Sequence, residues 1–229
     1  MENMEEKRPN SIEISLKESE KISTVKRFWN IIKNGMFLFG LKNRLARVGI
    51  EIKPYYWVKE EVEKSLEPKI KGNVSEFTFR ELSLAEMKLL TKSIDNLELD
   101  DLMENHKNSQ LCMGLEHKGE IAAYMFIGLD DLNFKGKIFH INTNEAYLYN
   151  MWTFHSFRGR NLAPYLRYKC YELLKDQGRD TKYSVTDYFN KSSIKFKNKL
   201  NSKHLQLFIY IDLFGKWKRH YLLKSYTDK

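Results

Sequence analysis

The chain has 229 residues, 42% of them hydrophobic, and a formal net charge of +9, enough for one sizeable core plus an extension. No apolar run reaches the length of a membrane-spanning helix, the two cysteines exclude a disulfide framework, and the scattered histidines show no metal-ligand spacing. The charge leaves three kinds of partner open: nucleic acid, an anionic membrane, or an anionic small molecule.

Residues 1–21 are polar and charged and are expected to form a flexible tail. The start, MENMEEKRPN, has no apolar core behind it, so no signal peptide is read and a cytoplasmic chain is expected. Residues 22–72 read as a basic, amphipathic extension. Over 22–50 stand Lys26, Arg27, Lys33, Lys42, Arg44 and Arg47 with no acidic residue. Val25, Phe28, Trp29, Ile32, Met36, Phe39 and Leu45 give a helical apolar stripe, broken near Gly35 and Gly40. Packing within the chain, or on a second subunit in a homodimer, is taken ahead of peripheral contact with the inner face of an anionic membrane. Lys53–Lys64 begins extended at Pro54 and is expected to turn helical before Pro68.

Residues 73–229 read as one domain. Gln110–Leu129 forms a hairpin turning at His117–Gly119. Tyr147–Gly178 is a buried strand, a turn carrying Arg158, Gly159 and Arg160, and then a helix. Leu162, Leu166, Cys170, Leu173 and Leu174 share one face of that helix. Asn161 is expected to cap it by accepting from first-turn amides. Pro164 fits the first turn and Gly178 the stop. A helix start offers unpaired N–H groups and the positive end of the macrodipole, which suits phosphate oxygens. An ordinary strand–helix corner with exposed arginines is the alternative. Tyr183–Asp187 is a further strand, and residues 205–226 give two closing strands with Gly215 and Lys216 at the turn. Cys112 and Cys170 read as buried thiols.

FRGRNLAPYL resembles the acyl-CoA-binding motif of the GNAT acetyltransferase superfamily, Arg/Gln-x-x-Gly-x-Gly/Ala. Arg158 fills the first position and Ala163 the last. Asn161 replaces the usual glycine, a residue type that tolerates unusual backbone angles. Phe77–Leu90 resembles the family's first strand and helix, Ala146–Phe154 its central strand, and Asn190–His204 its final helix. The resemblance implies an α/β (α+β) fold: a central mixed, mostly antiparallel sheet flanked by helices, here with a helical N-terminal extension. It implies an N-acetyltransferase that moves acetyl from acetyl-CoA to a primary amine (a small amine, an amino sugar or a protein amine). The expected route is direct attack in a ternary complex, with no metal.

By that resemblance Arg158, Gly159, Arg160, Asn161, Leu162 and Ala163 cradle the phosphates. Trp152 and Thr153 lie along the pantetheine arm, and Asn190 and Ser193 are further cofactor contacts. Acyl transfer needs a deprotonated amine, a polarised thioester carbonyl and a stabilised leaving thiolate. Side chains alternate along a strand, so Glu145, Tyr147, Tyr149 and Met151 are expected on one face. Glu145 is the first candidate base and Asp187 the second. Lys197 stands where the family's usual acid, a tyrosine, is expected; Tyr188 is the nearby tyrosine that could serve. His155, in the turn, reads as a solvated phosphate binder. A domain that binds acyl-CoA without turnover, as a sensor or scaffold, stays open. A nucleic-acid-binding protein is not expected, because the basic residues group around one turn and no recognised motif appears.

Overall fold

In the computed structural model of the chain, residues 37–61, 63, 66–92 and 110–226 are described. The chain divides into two compact units, residues 1–41 and 42–229. Of the first, only residues 37–41 are described; they open helix α1 (Phe37–Arg47). The stripe positions before residue 37 lie outside the described residues.

The second unit contains β1 (Ile50–Glu60), β2 (Phe77–Glu81), α2 (Leu84–Lys92), β3 (Gln110–His117), β4 (Glu120–Gly128), β5 (Leu132–Phe134) and β6 (Lys137–Phe139). There follow β7 (Glu145–Thr153), α3 (Leu162–Asp176), β8 (Thr181–Asp187), α4 (Lys191–Lys199), β9 (Lys203–Leu213) and β10 (Trp217–Ser225). Eight strands form one sheet in the order β10-β9-β1-β8-β7-β4-β3-β2, and β5 pairs with β6 alone. Every neighbouring pair is antiparallel except β7 and β8. The expected mixed, mostly antiparallel sheet flanked by helices is therefore present.

The apolar run of β4 explains its central place, since a strand covered on both faces needs no polar alternation. Ala123, Met125 and Ile127 meet Leu162, Leu166, Cys170 and Leu174 of α3 on one face. Tyr124 and Phe126 meet Leu82, Met87 and Leu90 on the other. Both cysteines are free and buried, and burial pushes the Cys112 thiol up to about 12.

Two elements differ from the sequence expectation. The extended start expected at Pro54 is part of a longer strand, β1, which continues through Lys59 and Glu60 and lies between β8 and β9, with Tyr55 and Trp57 in a core shared with Phe139 and Phe208. The aromatic and β-branched run Tyr55 to Val58 suits a strand and outweighs the helix preference of Lys59 and Glu60 within it. Pro54 is tolerated there because β8 pairs only from Tyr55 onward. The hairpin β5–β6 was not expected at all. Lys135 and Gly136 both take positive φ, 54° and 87°, the requirement of a two-residue hairpin turn.

The strands β7 and β8 pair only at Glu145↔Thr181, Ala146↔Lys182 and Tyr147↔Tyr183. Beyond Tyr147 they part, and one edge of β7 has no strand beside it.

Candidate active site

The site begins where β7 separates from β8. Tyr124 pairs with Trp152 and Phe126 with Tyr149, so β7 carries one residue more than β4. Asn150, at φ 45°, is the extra residue. Such a bulge re-aims the residues after it. Tyr149 packs toward the α2 side, whereas Met151 joins the α3 side with Ala146 and Leu148. The expectation that Glu145, Tyr147, Tyr149 and Met151 share a face therefore fails at Met151, because simple alternation does not survive a bulge.

After β7 comes a single turn of 3₁₀ helix, His155–Phe157, and then the corner that opens α3. Gly159 is at φ 79° and Asn161 at φ 65°, both left-handed. Asn161 does not cap α3 with its side chain. Its left-handed backbone turns the amide group outward, and Nδ2 donates to the Lys69 carbonyl at 2.8 Å. No hydrogen bond from the amides of residues 159–163 to another described residue is present. This corner is a helix start with its donors unspent.

The corner borders a cavity of about 440 Å³ lined by Thr153, Phe157, Arg158, Gly159, Asn161, Leu162, Ala163 and Pro164, with Lys71 and Lys199. Thr153 Oγ1 is buried without a hydrogen-bond partner. A buried hydroxyl with no partner is costly unless a ligand supplies one. Arg158 donates from Nε to the Thr153 carbonyl at 3.1 Å and lies 5.1 Å from the Trp152 ring. The Arg160 guanidinium lies 5.5 Å from the Phe157 ring. Unpaired amides, cations, an orphan hydroxyl and no carboxylate fit a phosphorylated ligand.

The other sequence candidates lie apart from this cavity. Asn190 caps α4, accepting from the Ser193 amide at 3.1 Å. Glu145 stands at the closed end of the strand gap. One of its oxygens accepts from the Tyr183 hydroxyl at 3.1 Å, the other from the Asn142 amide at 2.9 Å and side chain at 3.0 Å. Asp187 ends the open arm of β8. It accepts from the Phe189 amide at 2.8 Å and pairs with Lys42 at 3.4 Å. Tyr188 is exposed and stacks on Tyr56.

The sequence reading missed a buried polar cluster behind the gap. Glu60 accepts two hydrogen bonds from Arg167, one of them at 2.6 Å, and others from Tyr171 at 2.5 Å and from Ser184. Burial alone would raise the Glu60 carboxyl, but the charges of Arg167 and Lys197 outweigh it and hold it at about 2. Lys197 donates to Ser184 and Thr186, each at 2.6 Å, and lies 3.2 Å from Glu60. Burial lowers its ammonium to about 8 despite the pull of Glu60. A lone Glu at a strand end gives no sequence signal of this kind.

A second cavity, of about 460 Å³, lies between Tyr168, Tyr171 and Lys182 and is bordered by Glu61, Glu172, Asp176 and Asp180. Its carboxylates suit no phosphate. Among the described residues no group of three or more His, Cys, Asp or Glu is arranged to hold a metal ion. None of their helices is long and apolar enough to cross a membrane.

A model of the acetyltransferase (GNAT) family matches residues 78–201. No match is found among curated proteins. Among solved structures the chain is similar to a Drosophila protein, with 15% identity over 77% of this chain and 57% of that one, at a TM-score of 0.52. A GNAT-family protein from Novosphingobium aromaticivorans DSM 12444 gives 16% identity over 72% and 66%, at 0.51. A GNAT-family acetyltransferase from Colwellia psychrerythraea gives 13% over 85% and 74%, at 0.53. The chain thus spans less than two thirds of the first two, and at these identities the likeness is one of fold.

Proposed function

Because the chain belongs to the GNAT acetyltransferase family, we propose that the corner opening α3 binds acetyl-CoA and that the protein acetylates a primary amine by direct attack in a ternary complex. The observation that carries this reading is the set of unspent amides at residues 159–163, beside the orphan hydroxyl of Thr153. When bound, acetyl-CoA would supply an activated acyl group as a thioester. The amides of Gly159 to Ala163 hold the diphosphate. Trp152 and Thr153 line the path of the pantetheine arm, and Thr153 Oγ1 gains the partner it lacks. Donors on the unpaired edge of β7 polarise the acyl oxygen.

Of the two candidate bases, Asp187 is placed better for this role, because it ends the arm that has separated from β7. Glu145 instead keeps the closed end of the gap together. Tyr188 follows Asp187 and, being exposed, is the candidate to protonate the leaving sulfur. The three acceptors around Lys197 hold its ammonium in place. That feature favours a second reading, an acyl-CoA-binding domain without turnover.

Calorimetry with acetyl-CoA tests the site. Arg158→Glu should weaken binding by at least about tenfold, by setting a carboxylate against phosphate; unchanged affinity would remove the assignment. Thiol release measured with a polyamine, glucosamine and a lysine peptide tests the chemistry. Binding without release in any of these would select the non-catalytic reading. Asp187→Asn should lower turnover more than acetyl-CoA affinity if it acts as base.

A further inference from the structure

We infer that Lys71 and Lys199 form a second phosphate subsite on the same cavity, one that takes a phosphate monoester and makes the protein select coenzyme A over its 3′-dephosphorylated form. The inference rests on the reading of the α3 corner as a coenzyme A site.

Three separate stretches of chain meet at this cavity: the corner itself, the loop before β2 that carries Lys71, and the last residue of α4, Lys199. Lys71 precedes the family-matched residues 78–201. Its loop is tied to the corner by main-chain groups. The Lys71 amide donates to the Arg160 carbonyl at 2.9 Å, and Asn161 Nδ2 donates to the Lys69 carbonyl at 2.8 Å. These bonds fix the loop and leave the Lys71 ammonium unspent.

Several other cations are already spent on partners. Lys169 pairs with Glu67 and Glu172, Lys182 with Glu61, and Lys135 with Glu51. Arg158 and Arg160 at the corner lie against Trp152 and Phe157. No ion pair or hydrogen bond joins the side chain of Lys71 or Lys199 to another described residue, and no carboxylate lines their cavity. The buried, partnerless Thr153 hydroxyl on the same wall is an independent sign that this cavity takes a polar ligand.

The charge balance assigns the roles. Corner amides supply directional donors and about half a unit of positive charge, which suits a diphosphate. A phosphate monoester carries nearly two negative charges at neutral pH. Two ammonium groups on flexible stems match that charge and act as point charges without demanding fixed geometry.

The test is calorimetry on the full chain with coenzyme A and with 3′-dephospho-coenzyme A, using wild type, the double variant Lys71→Ala/Lys199→Ala, and Lys191→Ala. Lys191 is an exposed lysine of α4 that does not line the cavity. Wild type and Lys191→Ala should prefer coenzyme A, by about tenfold for each lysine engaged. The double variant should bind both forms alike, with the affinity wild type has for the dephosphorylated one. The wild-type preference should shrink as salt rises. A double variant that keeps the preference, or a wild type that never shows it, would overturn the subsite and leave the corner assignment standing. A wild type that binds neither compound would overturn both.

Discussion

Asn161 holds a left-handed backbone at the head of α3 and ties the Lys69 loop with its side chain. The two roles can be separated. Asn161→Gly keeps the backbone and loses one neutral hydrogen bond, so acetyl-CoA affinity should fall by no more than about fivefold. Asn161→Val adds about 1–2 kcal/mol of left-handed strain, and calorimetry should show clearly weaker binding than the glycine variant. Lys197 makes the opposite kind of statement, about pH. Folded, it releases its proton near pH 8; unfolded, near 10.5. Between those values Lys197 binds more protons in the unfolded chain than in the folded one, so its own contribution to stability should rise with pH across that window. The buried Cys112 thiol, held at about 12, pulls the other way above pH 9, so the test is a difference: in urea denaturation wild type should gain on Lys197→Met between pH 7.5 and 10, and an unchanged difference would mean that Lys197 is not responsible. The corner residues 158–163 were legible in the sequence because they are contiguous and the motif is local. Lys71 and Glu60 were not, because each reaches its partners from a distant segment.

At the level of elements, local signals sufficed where the turn chemistry was explicit. The β3–β4 hairpin turns at Lys118 and Gly119, and β9–β10 turns over Phe214 and Gly215, all four at positive φ. The stop of α3 at Gly178 is equally local. Three features escaped. The reach of β1 through Lys59 and Glu60 was hidden by the helix preference of those two residues, the β5–β6 hairpin is too short to carry a period, and the bulge at Asn150 depends on pairing with β4. Gly128 shows how such pairing constrains sequence. It sits opposite Tyr147, and a Cβ there would lie 1.9 Å from the ring. Gly128→Ala should therefore push the Tyr147 ring off its stack on Tyr149, whose centroid is 4.7 Å away, and cost about 1–3 kcal/mol in urea denaturation. Stability within about 0.5 kcal/mol of wild type, the range of neutral surface changes, would mean that the ring is free to move aside.

Across the 42–229 unit, the sheet has two arms that part between β7 and β8. One arm holds β2, β3, β4 and β7 with α3 packed on it; the other holds β8, β1, β9 and β10. Three residue pairs between β7 and β8 join them at the closed end, and a buried ion pair spans them, from Glu60 on β1 to Arg167 on α3. Glu60 thus couples the arm that carries Asp187 to the helix that carries the proposed diphosphate site. Glu60→Gln leaves Arg167 and Lys197 buried without their counter-charge, which should cost about 3–5 kcal/mol at pH 7. The wild-type carboxyl is held at about 2 against an ordinary value of 4.5. Its contribution is therefore full above pH 4.5 and lost as pH falls toward 2, so the gap between wild type and variant should narrow on acidification through that window. A purely structural ion pair would stop there. If it also sets the width of the gap, then Glu60→Gln, assayed well below its melting temperature, should bind acetyl-CoA more weakly although it alters no group lining the cavity. A folded variant with unchanged affinity would confine the pair to stability and leave the gap geometry to the three residue pairs of β7 and β8.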